Sequence, residues 1–221
     1  MVTKMAVRPM KSGKINKTSK SVKTNRLAKT NRLTNKTKGP ADKTTAEWLR
    51  YLQGGTTVLV DCGSKASSED APDIIRALAK RGYRHGLVVS LSWGCTKVSA
   101  ACKALDHSAI ACLYRQLNVE KGKHENCTFV QPLSSLTDLG IMLVEKMRYL
   151  PEEKSFCIID SISELEQHNK PELIARFVNF INPKLKANYV DTIVLIHPRP
   201  RDVLKPMLVD LFDHVVEEEN K

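Results

Sequence analysis

A chain of 221 residues with a net charge of +11 has the length for one folded domain plus an extension. It contains no apolar run of about 18 residues, and no apolar stretch follows its N-terminal charges, which argues against a membrane span and a secretory signal. The six cysteines, Cys62, Cys95, Cys102, Cys112, Cys127 and Cys157, include no C-x-x-C pair. This predicts free, mostly buried thiols in a reducing, cytoplasmic setting, with neither a zinc site nor a disulfide framework.

The charge is unevenly placed. Residues 1–40 carry 12 Lys or Arg and no acid, which leaves −1 for residues 41–221. The first 44 residues are rich in Lys, Thr, Asn and Ser and read as a disordered basic tail, too poor in apolar surface to offset the entropy of ordering. Lys-Thr-Asn-Arg-Leu occurs at 23–27 and again at 29–33. Basic residues recur at every third position: Lys11, Lys14, Lys17, Lys20, Lys23, Arg26, Lys29 and Arg32. On a helix this spacing drifts around the axis, whereas an extended chain with about three residues per turn aligns it in one charged row. Such a row suits a polyanion, above all nucleic acid, held by counterion release. No aromatic residue is interleaved to stack on bases. An anionic membrane surface is disfavoured by the missing amphipathic face. A tail that only confers solubility remains the plain alternative.

Residues 45–221 read as one α/β domain. A short helix is expected at 45–53, ended by Gly54 and Gly55. Residues 56–61 (TTVLVD) form an apolar, β-branched strand. A helix capped within 67–70 carries Ile74, Ile75, Leu78 and Ala79 and stops at Gly82. The pattern continues with a strand at 86–91, a helix at 96–105, a weak strand at 109–113 and a strand at 127–131. Ser135 and Asp138 open a helix in the manner of a capping box. The clearest central strand is 155–160 (SFCIID). A helix beginning near Pro171 carries Leu173, Ile174, Phe177, Val178 and Ile181, with a kink expected at Pro183. A strand at 192–197, a helix at 202–211 carrying Val203, Leu204, Met207 and Leu208, and a strand at 214–217 complete the chain. Strands apolar on both faces, alternating with amphipathic helices, predict a three-layer sandwich around a mostly parallel sheet. Ligands of such sheets lie beyond the carboxyl ends of the strands.

The loop after the first strand is where a phosphate cradle would sit. A P-loop needs G-x-x-x-x-G-K-[ST]. Here residues 61–70 (DCGSKASSED) supply Gly63, Ser64 and Lys65 as the candidate phosphate contacts, with acids at Asp61, Glu69 and Asp70 opposing an anion. Asp160 and Ser161 end the central strand, where a carboxylate can hold Mg²⁺ through water or merely cap the following loop. Cys95 precedes a helix whose dipole would lower a thiol pKa, but it has no evident base. His197 ends an apolar strand and reads as structural. Arg199 and Arg201 flank prolines at a strand end, suited to an anion or a neighbouring subunit. No catalytic residue, metal site or cofactor is assigned.

Several segments carry a family resemblance: Asp160-Ser-Ile-Ser163, the helix with Arg176-Phe-Val-Asn-Phe180, the strand 193–196, the ending Asp213-His-Val-Val216 and Pro132-Leu-Ser-Ser-Leu136. Together they resemble the archaeal RecA/KaiC-like P-loop ATPase superfamily, in particular its degenerate branch of small proteins. The likeness covers about residues 56–217 and implies a RecA-like core with Asp160 at the Walker B position. It also implies self-association or a protein partner. The Walker A Lys and hydroxyl are absent, and Ser90-Leu-Ser-Trp93 stands where the family places an acidic pair. ATPase activity is therefore not carried over. The expectation is a non-catalytic binding or regulatory protein whose tail contacts nucleic acid. The alternative is an ATP-binding regulatory switch with weak or no hydrolysis.

Overall fold

The computed structural model describes residues 48–63, 71–92, 95–113, 127–130, 135–197 and 203–217. The chain divides into two units, Met1–Lys38 and Gly39–Lys221, and the described residues all belong to the second. The basic positions from Lys11 to Arg32, together with Ser64, Lys65, Arg199 and Arg201, lie outside the described residues.

Seven strands are described: β1 (Thr57–Asp61), β2 (His85–Ser90), β3 (His107–Leu113), β4 (Cys127–Val130), β5 (Ser155–Asp160), β6 (Asp191–Ile196) and β7 (His214–Glu217). They form one sheet in the order β4-β3-β2-β5-β6-β1-β7, and every pairing is parallel. The helices are α1 (Ala71–Lys80), α2 (Cys95–Cys102), α3 (Leu136–Met147), α4 (Pro171–Ala187) and α5 (Leu204–Leu208). The domain is thus an α/β fold around a parallel sheet.

Every residue of β1, β5 and β6 is buried. Successive side chains of a strand point to opposite faces, so each strand feeds two cores. Val58, Val60, Val88, Ile158 and Leu195 pack with Ile74, Ile75 and Leu78 of α1 and Val98 of α2. Leu59, Val89, Ile159, Val194 and Ile196 pack with Leu143 of α3, Ile174 and Phe177 of α4, and Leu204 and Leu208 of α5. The sheet is covered on both sides, which is why its strands lack the alternation of a half-exposed sheet.

Close packing fixes one glycine. A Cβ at Gly86 of β2 would lie 2.9 Å from two Phe156 ring carbons and closer still to the ring tip. Phe156 is itself fully buried in the neighbouring strand. At the amino ends of the strands, Asp191 accepts hydrogen bonds from the N–H groups of Gly54 (3.0 Å) and Thr56 (2.8 Å) and from the Tyr83 hydroxyl (2.6 Å). This one buried carboxylate pins the approach to β1 against β6.

Several expectations are corrected by the structure. Within the expected 45–53 helix, the described part is a 3₁₀ turn, Leu49–Tyr51, with Trp48 and Leu49 buried. Strand β3 begins at His107, two residues earlier than its apolar pattern announces, because backbone pairing to His85 and Gly86 extends it through polar residues. A 3₁₀ segment, Ile162–Gln167, follows β5 where no element is expected. Pro183, where a kink is expected, lies inside helix α4, which runs to Ala187. Leu173, Val203 and Met207 point outward, at 45%, 53% and 37% exposure.

Cys95 and Cys127 are brought next to each other, with Cα atoms 7.2 Å apart, wider than a disulfide ordinarily spans. The start of α2 and the first residue of β4 meet on one face of the sheet. That contact spans 32 residues and leaves no local spacing signature. Among the described residues, Cys62, Cys102 and Cys157 are buried and in no disulfide. Among the described residues, no helix is long and apolar enough to cross a membrane.

Candidate site at the carboxyl ends of the strands

The order of the strands defines a topological switch point. From β2 the chain turns outward to β3 and then β4, whereas from β5 it moves the other way to β6. The connections diverge between β2 and β5, the position at which parallel sheets accept ligands. Ser90 and Asp160 are register partners at the ends of these two strands. Both are fully buried.

The chain leaving β2 stays fastened to the end of β5. The N–H groups of Leu91 and Ser92 both donate to the Asp160 carbonyl, the second at 3.1 Å. The Ser161 N–H donates in return to the Ser92 hydroxyl oxygen at 3.1 Å. Asp160 is joined to Ser161 by a cis peptide bond. The Ser161 hydroxyl is buried and meets no hydrogen-bond partner among the described residues. Ser163 ties the adjoining loop to the end of β6: its hydroxyl donates to the His197 carbonyl (2.9 Å) and accepts from the His197 N–H (3.0 Å). His197 thus contributes backbone groups to this clamp.

The end of β1 is built differently. Asp61 is 7% exposed, and its carboxylate accepts the N–H of Gly63 at 2.9 Å. Gly63 has a φ of +67°, a left-handed conformation that costs glycine little, and this folds the chain back over Asp61. The other carboxylate oxygen takes the ammonium of Lys205 from α5. Lys205 also bridges to Glu217 of β7 at 3.0 Å, and Glu217 is the register partner of Asp61. Burial disfavours the Lys205 ammonium, but its hydrogen bonds to Asp61 and Glu217 outweigh that and hold its pKa above the ordinary lysine value.

These two regions are distinct. β6 separates β1 from β5, so Asp61 and Asp160 end strands on the order of 10 Å apart. The structure brings together Asp160 and Ser161 at the switch point and places Gly63 at the other strand end. Cys95 is buried and lies against Cys127. Among the described residues, no three His, Cys, Asp or Glu side chains converge as metal ligands.

The sequence reading missed Lys205 and Glu217. Lys205 lies 144 positions from Asp61, and only the adjacency of β1 and β7 with α5 above them joins the three charges. Its weak signal was a lone lysine in a short apolar helix. No protein-family model and no curated protein matches the chain.

Proposed function

We propose that this chain is a non-catalytic binding or regulatory protein. A RecA/KaiC-like domain recruits a protein partner or a second copy of itself, and the basic segment 1–44 contacts nucleic acid. The observation that carries the non-catalytic reading is the ion cluster at the end of β1. A triphosphate there needs free N–H groups and an uncommitted cation. Among the described residues there, the Gly63 N–H is spent on Asp61, and the Lys205 ammonium is shared between two carboxylates. The parallel sheet order supports the core architecture. The concentration of 12 positive charges in the first 40 residues supports the polyanion partner. The non-catalytic reading expects no phosphate release from Mg-ATP above a protein-free blank, and sustained turnover by the full chain would refute it.

A second reading is favoured by the other region. Asp160 and Ser161 stand at the switch point between β2 and β5, where a Mg²⁺-bound nucleotide would place its metal. On this reading the protein is a nucleotide-responsive switch with weak or no hydrolysis. It expects Mg-ATP to raise the melting temperature and Asp160→Ala to abolish the rise. An unchanged melting temperature at millimolar Mg-ATP counts against it and leaves the first reading in place.

A further inference from the structure

Taking nucleic acid as the partner, as proposed for residues 1–44, we infer that the folded domain itself grips a single strand of it at the amino ends of the parallel strands. Lys80, Arg84, Lys103 and Lys154 meet phosphates there, and Tyr149 and Tyr189 stack on bases.

The topology lines these residues up. The strand order places β3, β2, β5 and β6 side by side. Lys103 lies in the turn that enters β3. Lys80 ends α1, and Arg84 immediately precedes β2. Tyr149 and Lys154 lie in the segment that enters β5, and Tyr189 lies in the turn that enters β6. Register fixes the row, because His85 pairs with His107 on one side and with Ser155 on the other. Arg84 and Lys154 therefore stand just before paired residues of neighbouring strands. The Arg84 carbonyl accepts the N–H groups of Asp106 (2.9 Å) and His107 (3.2 Å), which holds the turn of Lys103 against it. Lys154 Nζ reaches the Arg81 carbonyl at 3.4 Å. Four neighbouring strands at ordinary spacing give a row about 14 Å wide.

These side chains are presented to solvent rather than spent inside the fold. All four cations are exposed, and Lys80, Arg84 and Lys103 make no ion pair among the described residues. Lys80 and Lys103 also suit the carboxyl ends of their helices, but Arg84 and Lys154 lie outside any helix. Tyr149 and Tyr189 are 75% and 57% exposed, two aromatic rings left in water at the same end of the sheet. Lys154 (φ +50°) and Tyr189 (φ +56°) hold left-handed conformations in which glycine is favoured. Neither fills the core, so packing does not account for the side chain at either position. Exposed cations beside exposed aromatic rings suit a single strand, whose phosphates and base faces are both accessible.

Asp106, Glu152 and Glu153 stand among these cations and are exposed as well. The face is therefore a set of contacts rather than a uniform positive field. Long-range attraction is left to the 12 positive charges of residues 1–40.

Binding of the full chain to a fluorescent single-stranded oligonucleotide and to the matching duplex is titrated at low and at physiological salt. Three variants are compared with it. Lys80→Gln/Arg84→Gln/Lys103→Gln removes three cations of the row, and Tyr149→Ala/Tyr189→Ala removes the rings. Lys97→Gln/Lys170→Gln/Arg176→Gln is the control for net charge, with its changes in α2 and in the first half of α4. Every changed position is exposed, and melting temperatures check that each variant is folded. The first variant should lose about tenfold or more in affinity for the single strand. Its salt slope should fall by about 2, from three phosphate contacts at about 0.7 each. The tyrosine variant should lose about tenfold with its salt slope unchanged, together with most of any preference for single strand over duplex. The control should bind within about threefold of the native chain. Equal losses in the first variant and the control overturn the proposal, since net charge would account for both. Native affinity in the tyrosine variant also overturns it. In either case, binding by the native chain leaves the reading of residues 1–44 standing. No binding by the native chain to either oligonucleotide sinks that reading and the proposal with it.

Discussion

The Lys205 ammonium rests against the Asp61 carboxylate, joining α5 to the end of β1 across 144 residues. Asp61 is almost wholly buried, so removing Lys205 takes away its one ion-pair partner among the described residues. Lys205→Met should destabilise the domain by about 1–3 kcal/mol, between the values for exposed and buried pairs whose partner is removed. In the double variant Asp61→Asn/Lys205→Met, the loss should fall well short of the sum of the two single losses, as expected for groups in direct contact. Urea unfolding of the four proteins checks this, and strict additivity would disprove the coupling.

Asp191 acts at the opposite end of the sheet. It accepts two backbone N–H groups and the Tyr83 hydroxyl while 1% exposed. Asp191→Ala should cost about 3 kcal/mol or more, since it leaves several buried donors without an acceptor. Tyr83→Phe should cost less, about 1–2 kcal/mol, because the carboxylate keeps Gly54 and Thr56. The order of the two losses is the checkable result. A Tyr83→Phe loss equal to that of Asp191→Ala would contradict the shared-acceptor account.

Gly86→Ala tests packing between β2 and β5. The added methyl would overlap the Phe156 ring, which is sealed in the core. We expect a loss of about 1–3 kcal/mol from overpacking. Gly86→Ala/Phe156→Leu should recover part of it, whereas Phe156→Leu alone should destabilise. Equilibrium melts of the three variants decide whether the clash is the cause.

Acid should weaken the join between β1 and the segment before β7. Burial raises the Asp213 pKa, but the Lys186 ammonium and the Thr57 N–H and hydroxyl outweigh that and hold it below 3.8. Its folded pKa is depressed, so its contribution is present above about 3.8 and is lost as the pH falls through the lower folded value. Asp213→Asn should therefore narrow the stability difference between pH 6 and pH 2. Thermal melts across that range measure it, and equal acid sensitivity in the two proteins would exclude Asp213 as a contributor.

The strands were legible because burial on both faces writes itself as continuous apolar runs, as in 155–160 and 192–197. Helix faces were less so. Leu173 and Met207 fit an inward stripe by spacing, yet they face outward because the sheet covers only part of each helix circumference, and Val203, also exposed, precedes α5. At the candidate site, Asp61 and Asp160 were visible as carboxylates ending apolar strands. Lys205 and Glu217 were not, because their roles depend on which strands become neighbours. The approach of Cys95 to Cys127 was hidden for the same reason, since the two are 32 positions apart.

The central claim is that the first 44 residues tether the domain to nucleic acid. The most direct measurement compares DNA and RNA binding by the full chain with a full-length variant in which Lys11, Lys14, Lys17, Lys20, Lys23, Arg26, Lys29 and Arg32 are replaced by Gln. Both are titrated at low and at physiological salt. The account predicts tight binding by the native chain that weakens by about a hundredfold or more across that salt range, and little binding by the variant. Binding that persists in the variant, or that ignores salt, would contradict it, as would no binding by the native chain.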